Sequence, residues 1–417
     1  MSRLPESRRP MWALFLVAAV ASACSTQPRV RSIVAADIVA PPPPPPPPSP
    51  VDEIADLEPI LRSDPELAAW MDDAQKRRLQ VLVAVPEKEE GAQPTLRRMG
   101  YRADAEYFYP ASAVKLCLAT AALEKLDEMR ESYGVKLKPS TPLRFVTGEG
   151  RTRRVLDTSL GRDIELALVI SDNDAANRLF AFVGTEELAE RLDRVGLKRT
   201  RIVQTLGEVV RGPEPMIELR APSMTIPVGR RIGFPLTPAP PPILVGRAHV
   251  DAQGRTVAAP LDFADKNAAP LRELQDLLVT IMRPDLVAER PAIAAADRTE
   301  LIEVLARLPS ALGGRSRARA PTARDRDAKP LHVAIAQTAP PGAIKVSGKG
   351  GRAYGFSVEN VHAVDTRTGR SFFAAATILS NENGTMNDDR YDYESVANPF
   401  ISRLGVVLAQ KLLGPQG

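Results

Sequence analysis

The chain has 417 residues, 44% of them hydrophobic and 25% charged, ample for a folded domain with a sizeable core. The formal net charge is +4, and losing residues 1–23, with three arginines and one glutamate, leaves +2. So even a balance gives no electrostatic case for nucleic acid. With only Cys24, Cys117 and three histidines, no zinc pattern forms, and no metal or cofactor is expected.

The first segment is a targeting signal. Arg3, Arg8 and Arg9 form a positive n-region, and "MWALFLVAAVASA" (11–23) is an apolar stretch. It is too short to span a bilayer as a helix. It ends at "ASAC", a small-residue cleavage site before Cys24 that resembles a bacterial lipobox. The expectation is residues 1–23 as signal peptide and Cys24 as lipidation site, with cleavage after Ala23 and no lipid as the alternative. Ser25, rather than Asp, points to the outer membrane, hence a periplasmic, lipid-anchored protein. "PPPPPPPPSP" (41–50) predicts a polyproline II stalk, about 3.1 Å per residue, within a linker over 24–54.

One folded domain is expected over 55–417. "PELAAWMDDAQKRRLQ" (65–80) reads as a helix; "VLVAVP" (81–86) and "AEYFYP" (105–110) read as strands. Residues 111–133 form a nearly all-apolar central helix, which carries Cys117 as a small core residue. Further helices are expected over 162–170, 174–183, 186–196, 271–282 and 296–308. "RSRARAPTARDRDAK" (315–329) is basic and reads as a solvated loop. "GRAYGFSVENVHAVD" and "SFFAAATILS" flank "TRTG" as a β-hairpin, and 393–413 is a final helix. Strands thus lie at both ends, with a helical and irregular insertion over about 120–343. A monomer is expected.

Three short motifs carry the chemistry. Ser112 and Lys115 are three apart, so they share one helix face, and a lysine buried there needs a partner or a task. Ser-x-x-Lys alone is weak, since about one or two arise by chance in such a chain. Ser171-Asp172-Asn173 lies between two predicted helices, and Lys349-Gly350-Gly351 precedes a strand. Together they resemble the serine β-lactamase and penicillin-binding protein superfamily, whose signature is S-x-x-K, S-D-N and K-T-G. The order and first spacing are those of the class A branch. "YPASAVKL", "SDNDAANRLF", "AYGF" and "NDDRYDYES" extend the resemblance over about 60–415.

The resemblance implies an α/β fold with an antiparallel sheet flanked by helices and an inserted helical subdomain. It also implies a serine hydrolase acting through an acyl-serine intermediate. Ser112 would attack a carbonyl, and Lys115 would take its proton if burial and a second cation lower its pKa. Lys349 would be that cation and would attract a substrate carboxylate. Ser171 would relay a proton to the leaving nitrogen, and Asn173 would bind the substrate amide. The Ser112 N–H at a helix N-terminus would be one oxyanion donor, with its partner from the strand at Arg352. Gly350 and Gly351 would let a ligand lie close to the strand. No G-x-S-x-G occurs, and His249, His332 and His362 sit in no hydrolase motif.

Two departures stand out. Gly350 replaces the usual Thr or Ser, so a hydroxyl is missing; the register Val346-Ser347-Gly348 keeps a hydroxyl but loses the lysine. The class A deacylating glutamate of E-x-x-L-N falls near Leu206, where Glu208 is close but "EVVRG" lacks Leu-Asn. Glu208 is therefore either the deacylating base or a surface loop acid. β-Lactam hydrolysis, with the antibiotic resistance it confers, is the first expectation. A penicillin-binding-type peptidase or esterase on peptidoglycan-like substrates is the second, and a non-catalytic, lipid-anchored binding module the third. The acidic loop 381–392 does not fit a calcium pattern and reads as polar surface.

Overall fold

The computed structural model describes residues 54–87, 94–134, 136–147, 151, 154–207, 217–221, 224–226, 240–313 and 324–414. Cys24, Glu208, residues 1–53 and most of the basic run 315–329 lie outside these. At the start of the described chain are β1 (Ala55–Asp56), α1 (Glu58–Arg62), α2 (Pro65–Asp72), β2 (Gln80–Glu87) and β3 (Thr95–Tyr101). At its end are β8 (Ile344–Gly348), β9 (Gly351–Ala353), β10 (Phe356–Asp365), β11 (Ser371–Leu379) and helix α11 (Asn398–Leu412). These strands form one sheet in the order β1-β3-β2-β11-β10-β8, with β9 also on β10. Only β1–β3 is parallel among these pairs.

Between the two ends lie α3 (Lys115–Tyr133), α4 (Leu160–Val169), α5 (Asn173–Val183), α6 (Thr185–Arg194), α7 (Leu271–Met282) and α8 (Ala295–Ala306). The short α9 (Asp325–Ala328) and α10 (Pro330–Ala336) follow. The expected helices of this region are present. The region also holds a second sheet that the sequence reading missed, ordered β5-β4-β6-β7. Its strands are β4 (Leu143–Thr147), β5 (Arg154–Thr158), β6 (Ile217–Ala221) and β7 (Met224–Ile226).

Strand alternation divides the core in two. Leu82, Ala84, Phe356, Val358 and Phe373 face one apolar cluster with α3, α5 and α7. Val81, Val83, Val361, Ala363 and Phe372 face the other, with α2, α10 and α11. An antiparallel sheet with helices on both faces is the fold class expected. α3 runs through the first layer, and thirteen of its residues are buried, from Lys115 to Met129. Such a helix gives its N-terminus a fixed address against the sheet, and that is where Ser112 lies.

Some expected elements differ. Residues 351–365, expected as one strand, are β9 and β10 paired around a turn at Tyr354-Gly355, and 325–328, expected as loop, form α9. The helix at 65 stops at Asp72, and residues 105–110 form no strand. The Glu106 and Tyr107 carbonyls are taken by Gln80 Nε2 (2.8 Å) and Arg78 Nη1 (2.9 Å), not by a neighbouring strand. The aromatic rings pack instead, Tyr107 and Tyr109 each against Phe263. The strand actually present, Thr95–Tyr101, hides its pattern because Arg98 is buried and paired to Asp276.

Candidate active site

A 3₁₀ turn, Ala111–Val114, leads into α3. Ala111 there has φ +48°, a left-handed conformation that a non-glycine residue holds only when its surroundings over-determine it. Ser112 follows, half-buried at the floor of a cleft of about 460 Å³. One turn on, the fully buried Lys115 sends Nζ to the Ser171 carbonyl (2.5 Å), Ser171 Oγ (3.2 Å) and Asn173 Oδ1 (2.7 Å). Lys349 Nζ reaches the same Ser171 hydroxyl at 3.1 Å and also donates to the Gly350 carbonyl. Ser171 Oγ therefore sits between two buried lysines.

The Ser171 turn is built for this placement. Ser171 has φ +60°, which reverses the chain between α4 and α5. Asp172 caps α5, accepting the Ala175 N–H at 2.8 Å. Asp163 on α4, fully buried, takes Arg178 of α5 in two hydrogen bonds of 2.9 and 2.6 Å. The junction carrying Ser171 and Asn173 is thus clamped from both sides.

The third motif closes the site. Lys349 N donates to the Asn360 carbonyl at 3.0 Å, in line with the β8–β10 register. Gly351 lies against the Ser112 turn: a Cβ there would crowd Ser112 N and stand 2.8 Å from Ala113 N. Only glycine allows this approach, which sets the β9 backbone beside the helix N-terminus. Arg352 lines the cleft, donates to Asn398 Oδ1 and lies 5.5 Å from the Tyr393 ring centroid.

Charge follows from burial. Desolvation, then the neighbouring Lys349, push the Lys115 pKa well below that of an ordinary lysine, against a smaller opposing pull from Asp172. Burial lowers Lys349 to about 8, opposed by the negative Glu359. A neutral Lys115 beside a charged Lys349 has a lone pair to accept a proton.

Of the residues singled out from sequence, Ser112, Lys115, Ser171, Asn173, Lys349, Gly351 and Arg352 are brought together. Glu208 lies outside the described residues; Gly207 before it is close to Asn173 Nδ2, and Leu206 exchanges two hydrogen bonds with Asn177. Sequence reading missed Tyr109, Gln204 and Tyr354 in the wall. The loop 381–392 is polar surface as expected, with Asn387 and Asp389 exposed, and these two line the cleft together with Tyr391. Sequence reading also missed Glu359 and Lys329, both buried. A larger groove of about 710 Å³, between α10 and α11, holds none of the three motifs. Among the described residues no group of side chains suits a metal ion, and no helix is long and apolar enough to cross a membrane.

Residues 67–228, which carry the first two motifs, match the model described as the beta-lactamase enzyme family. Over that stretch the chain is similar to this family. No curated protein matches it. Among solved structures, the chain is similar to a β-lactamase of Xanthomonas campestris at 14% identity and TM-score 0.48, covering 87% of this chain and 100% of that one. A β-lactamase of Desulfarculus baarsii aligns at 15% identity and TM-score 0.46, covering 84% and 96%. A penicillin-binding protein, PBP-A, in acyl-enzyme complex with penicillin G, aligns at 14% and 0.46, covering 86% and 98%.

Proposed function

We propose that the chain is a serine hydrolase that opens an amide, lactam or ester carbonyl through an acyl-Ser112 intermediate, with β-lactams the first substrate class. The observation that carries this is the buried Lys115–Ser171–Lys349 chain beside the Ser112 turn. Ser112 Oγ attacks the carbonyl carbon while Lys115 Nζ takes its proton, a role worth about 10²–10⁴ in rate. The Ser112 N–H, at the start of α3, faces the developing oxyanion, aided by the helix dipole. As the tetrahedral intermediate collapses, the C–N bond breaks and the leaving nitrogen takes a proton relayed through Ser171 Oγ. Lys349 keeps a positive charge at that end of the cleft, suited to a substrate carboxylate.

Water then hydrolyses the acyl-enzyme. Glu208 is the candidate base for this step, and the rate of deacylation separates a β-lactamase from a penicillin-binding-type peptidase or esterase. The test is hydrolysis of nitrocefin and of p-nitrophenyl acetate by the chain and by Ser112→Ala. Turnover lost in Ser112→Ala supports the reading; equal turnover by both contradicts it. A non-catalytic binding module would show neither turnover nor a covalent adduct.

On sequence grounds we also propose export and lipid anchoring through Cys24. Labelling of the expressed chain with a radioactive fatty acid, absent in Cys24→Ala, tests this.

A further inference from the structure

Gly350 stands where the superfamily motif has a hydroxyl residue, and the structure gives a reason. Gly348 pairs with Val361 and Gly351 with Val358, so Gly350 falls opposite Glu359 across the β8/β9–β10 edge. A Cβ on Gly350 would stand 2.5 Å from the Val358 carbonyl oxygen and 2.8 Å from Glu359 Cδ, and would crowd Glu359 Oε1 as well. One of these obstacles is backbone and cannot move aside. The other is a carboxylate only 3% exposed.

Glu359 is not an idle filler. It accepts the Leu331 backbone N–H. The charged groups that act on it are Arg352 and Lys349 from the edge strand and Lys329 from the start of α10. α11 contributes the neutral Asn398, held to Arg352, and His332 on α10 is kept uncharged by burial and by Lys329. Lys349 in turn faces Lys115, Lys329 and the Ser171 hydroxyl, and gives its hydrogen bonds to Ser171 and to the Gly350 carbonyl. Glu359 therefore reaches Lys349 as charge, through the strand. Lys115, Lys329 and Lys349 are all buried, and a buried ammonium without a counter-charge gives up its proton.

We propose that Glu359 is a positioning residue of the active site: its carboxylate occupies the space denied to a side chain at Gly350 and keeps Lys349 an ammonium beside Ser171. The third motif is then half of a Gly350–Glu359 pair. The proposal rests on the acyl-serine reading only for its kinetic consequence. Loss of the negative charge lets burial depress Lys349 further, so the ammonium form ends at lower pH. Burial holds the Glu359 carboxyl up to about 7, so its influence is present above that pH and fades below it.

The test uses the full chain with ¹³Cε-labelled lysine, titrated by NMR, with Lys349→Arg to assign the signal and the exposed Lys345 as reference. In Glu359→Gln the Lys349 midpoint is expected to fall by about one pH unit, while Lys345 stays put. An unchanged Lys349 midpoint overturns the proposal. Acylation by nitrocefin, followed against pH, is expected to show its alkaline limb moved down by a similar amount. A limb that stays in place with acylation intact overturns the proposal and leaves the acyl-serine reading standing. A shifted midpoint in a chain that no probe acylates supports the pair and defeats that reading instead. For packing, Gly350→Thr is expected to lower Tm and Glu359→Ala/Gly350→Thr to recover part of the loss. Gly350→Thr with unchanged Tm overturns the pairing.

Discussion

Ser112, Lys115, Ser171 and Lys349 act over distances of a few ångströms, so the site is sensitive to single atoms. Gly351→Ala places a methyl group against the Ser112 and Ala113 amides, neither of which can yield without moving α3. Misplacement of about 1 Å commonly costs about 100-fold, so acylation by nitrocefin is expected to fall at least that far; stopped-flow rates check it. Lys115→Met removes the proton acceptor and is expected to slow acylation by about 10²–10⁴, while Tm falls modestly because the Ser171 carbonyl and Asn173 Oδ1 lose their donor. A preserved rate would contradict the base role. The residues of the three motifs were legible because Ser-x-x-Lys, Ser-Asp-Asn and Lys-Gly-Gly, each weak alone, occur together in an order and spacing that resemble one signature. Glu359 was not, since a single acid in a strand carries no signal until its cross-strand partner Gly350 is known. The cleft tyrosines were hidden for a similar reason, coming from segments hundreds of residues apart.

Helices were legible where one periodicity ran for three turns, as in α5 and α7. The strand expected at 105–110 was misread because aromatic, strand-prone residues there serve ring packing, and side chains satisfy the backbone. The second sheet escaped notice because its four strands are at most five residues long and two are separated from the others by some sixty positions. At this scale the α4–α5 clamp is the feature to break. Asp163 has no exposure, and burial raises its pKa despite Arg178, so the pair offsets a large desolvation cost. Asp163→Ala leaves the mostly buried Arg178 guanidinium without its carboxylate and is expected to cost about 3–5 kcal/mol, read by urea unfolding. Asp172→Ala, which removes the α5 cap, should cost about 1 kcal/mol. Comparable losses for the two variants would contradict the clamp.

Across the whole molecule, the buried lysines dictate a pH dependence. In the unfolded chain they hold protons up to about 10.5, whereas in the folded chain Lys349 releases its proton at about 8 and Lys329 at about 7. Between pH 7 and 9 the unfolded state thus binds more protons, so stability rises with pH. Glu359 works the other way below 7, because its folded pKa is above the unfolded value of 4.5. Above 9 the buried Cys117 thiol, held up to about 12, opposes the lysines. Urea unfolding at pH 7, 8 and 9 is expected to show rising stability, and Lys329→Met a flatter slope. A chain equally stable across that window would contradict the buried-lysine account.

The most direct measurement of the central claim is intact-protein mass after mixing the full chain with penicillin G, with peptide mapping and Ser112→Ala as control. One added penicilloyl mass is expected, mapped to Ser112 and missing from Ser112→Ala, that decays as hydrolysed drug accumulates or persists if deacylation is slow. No adduct at any time without hydrolysis, or an equal adduct on Ser112→Ala, would contradict that claim.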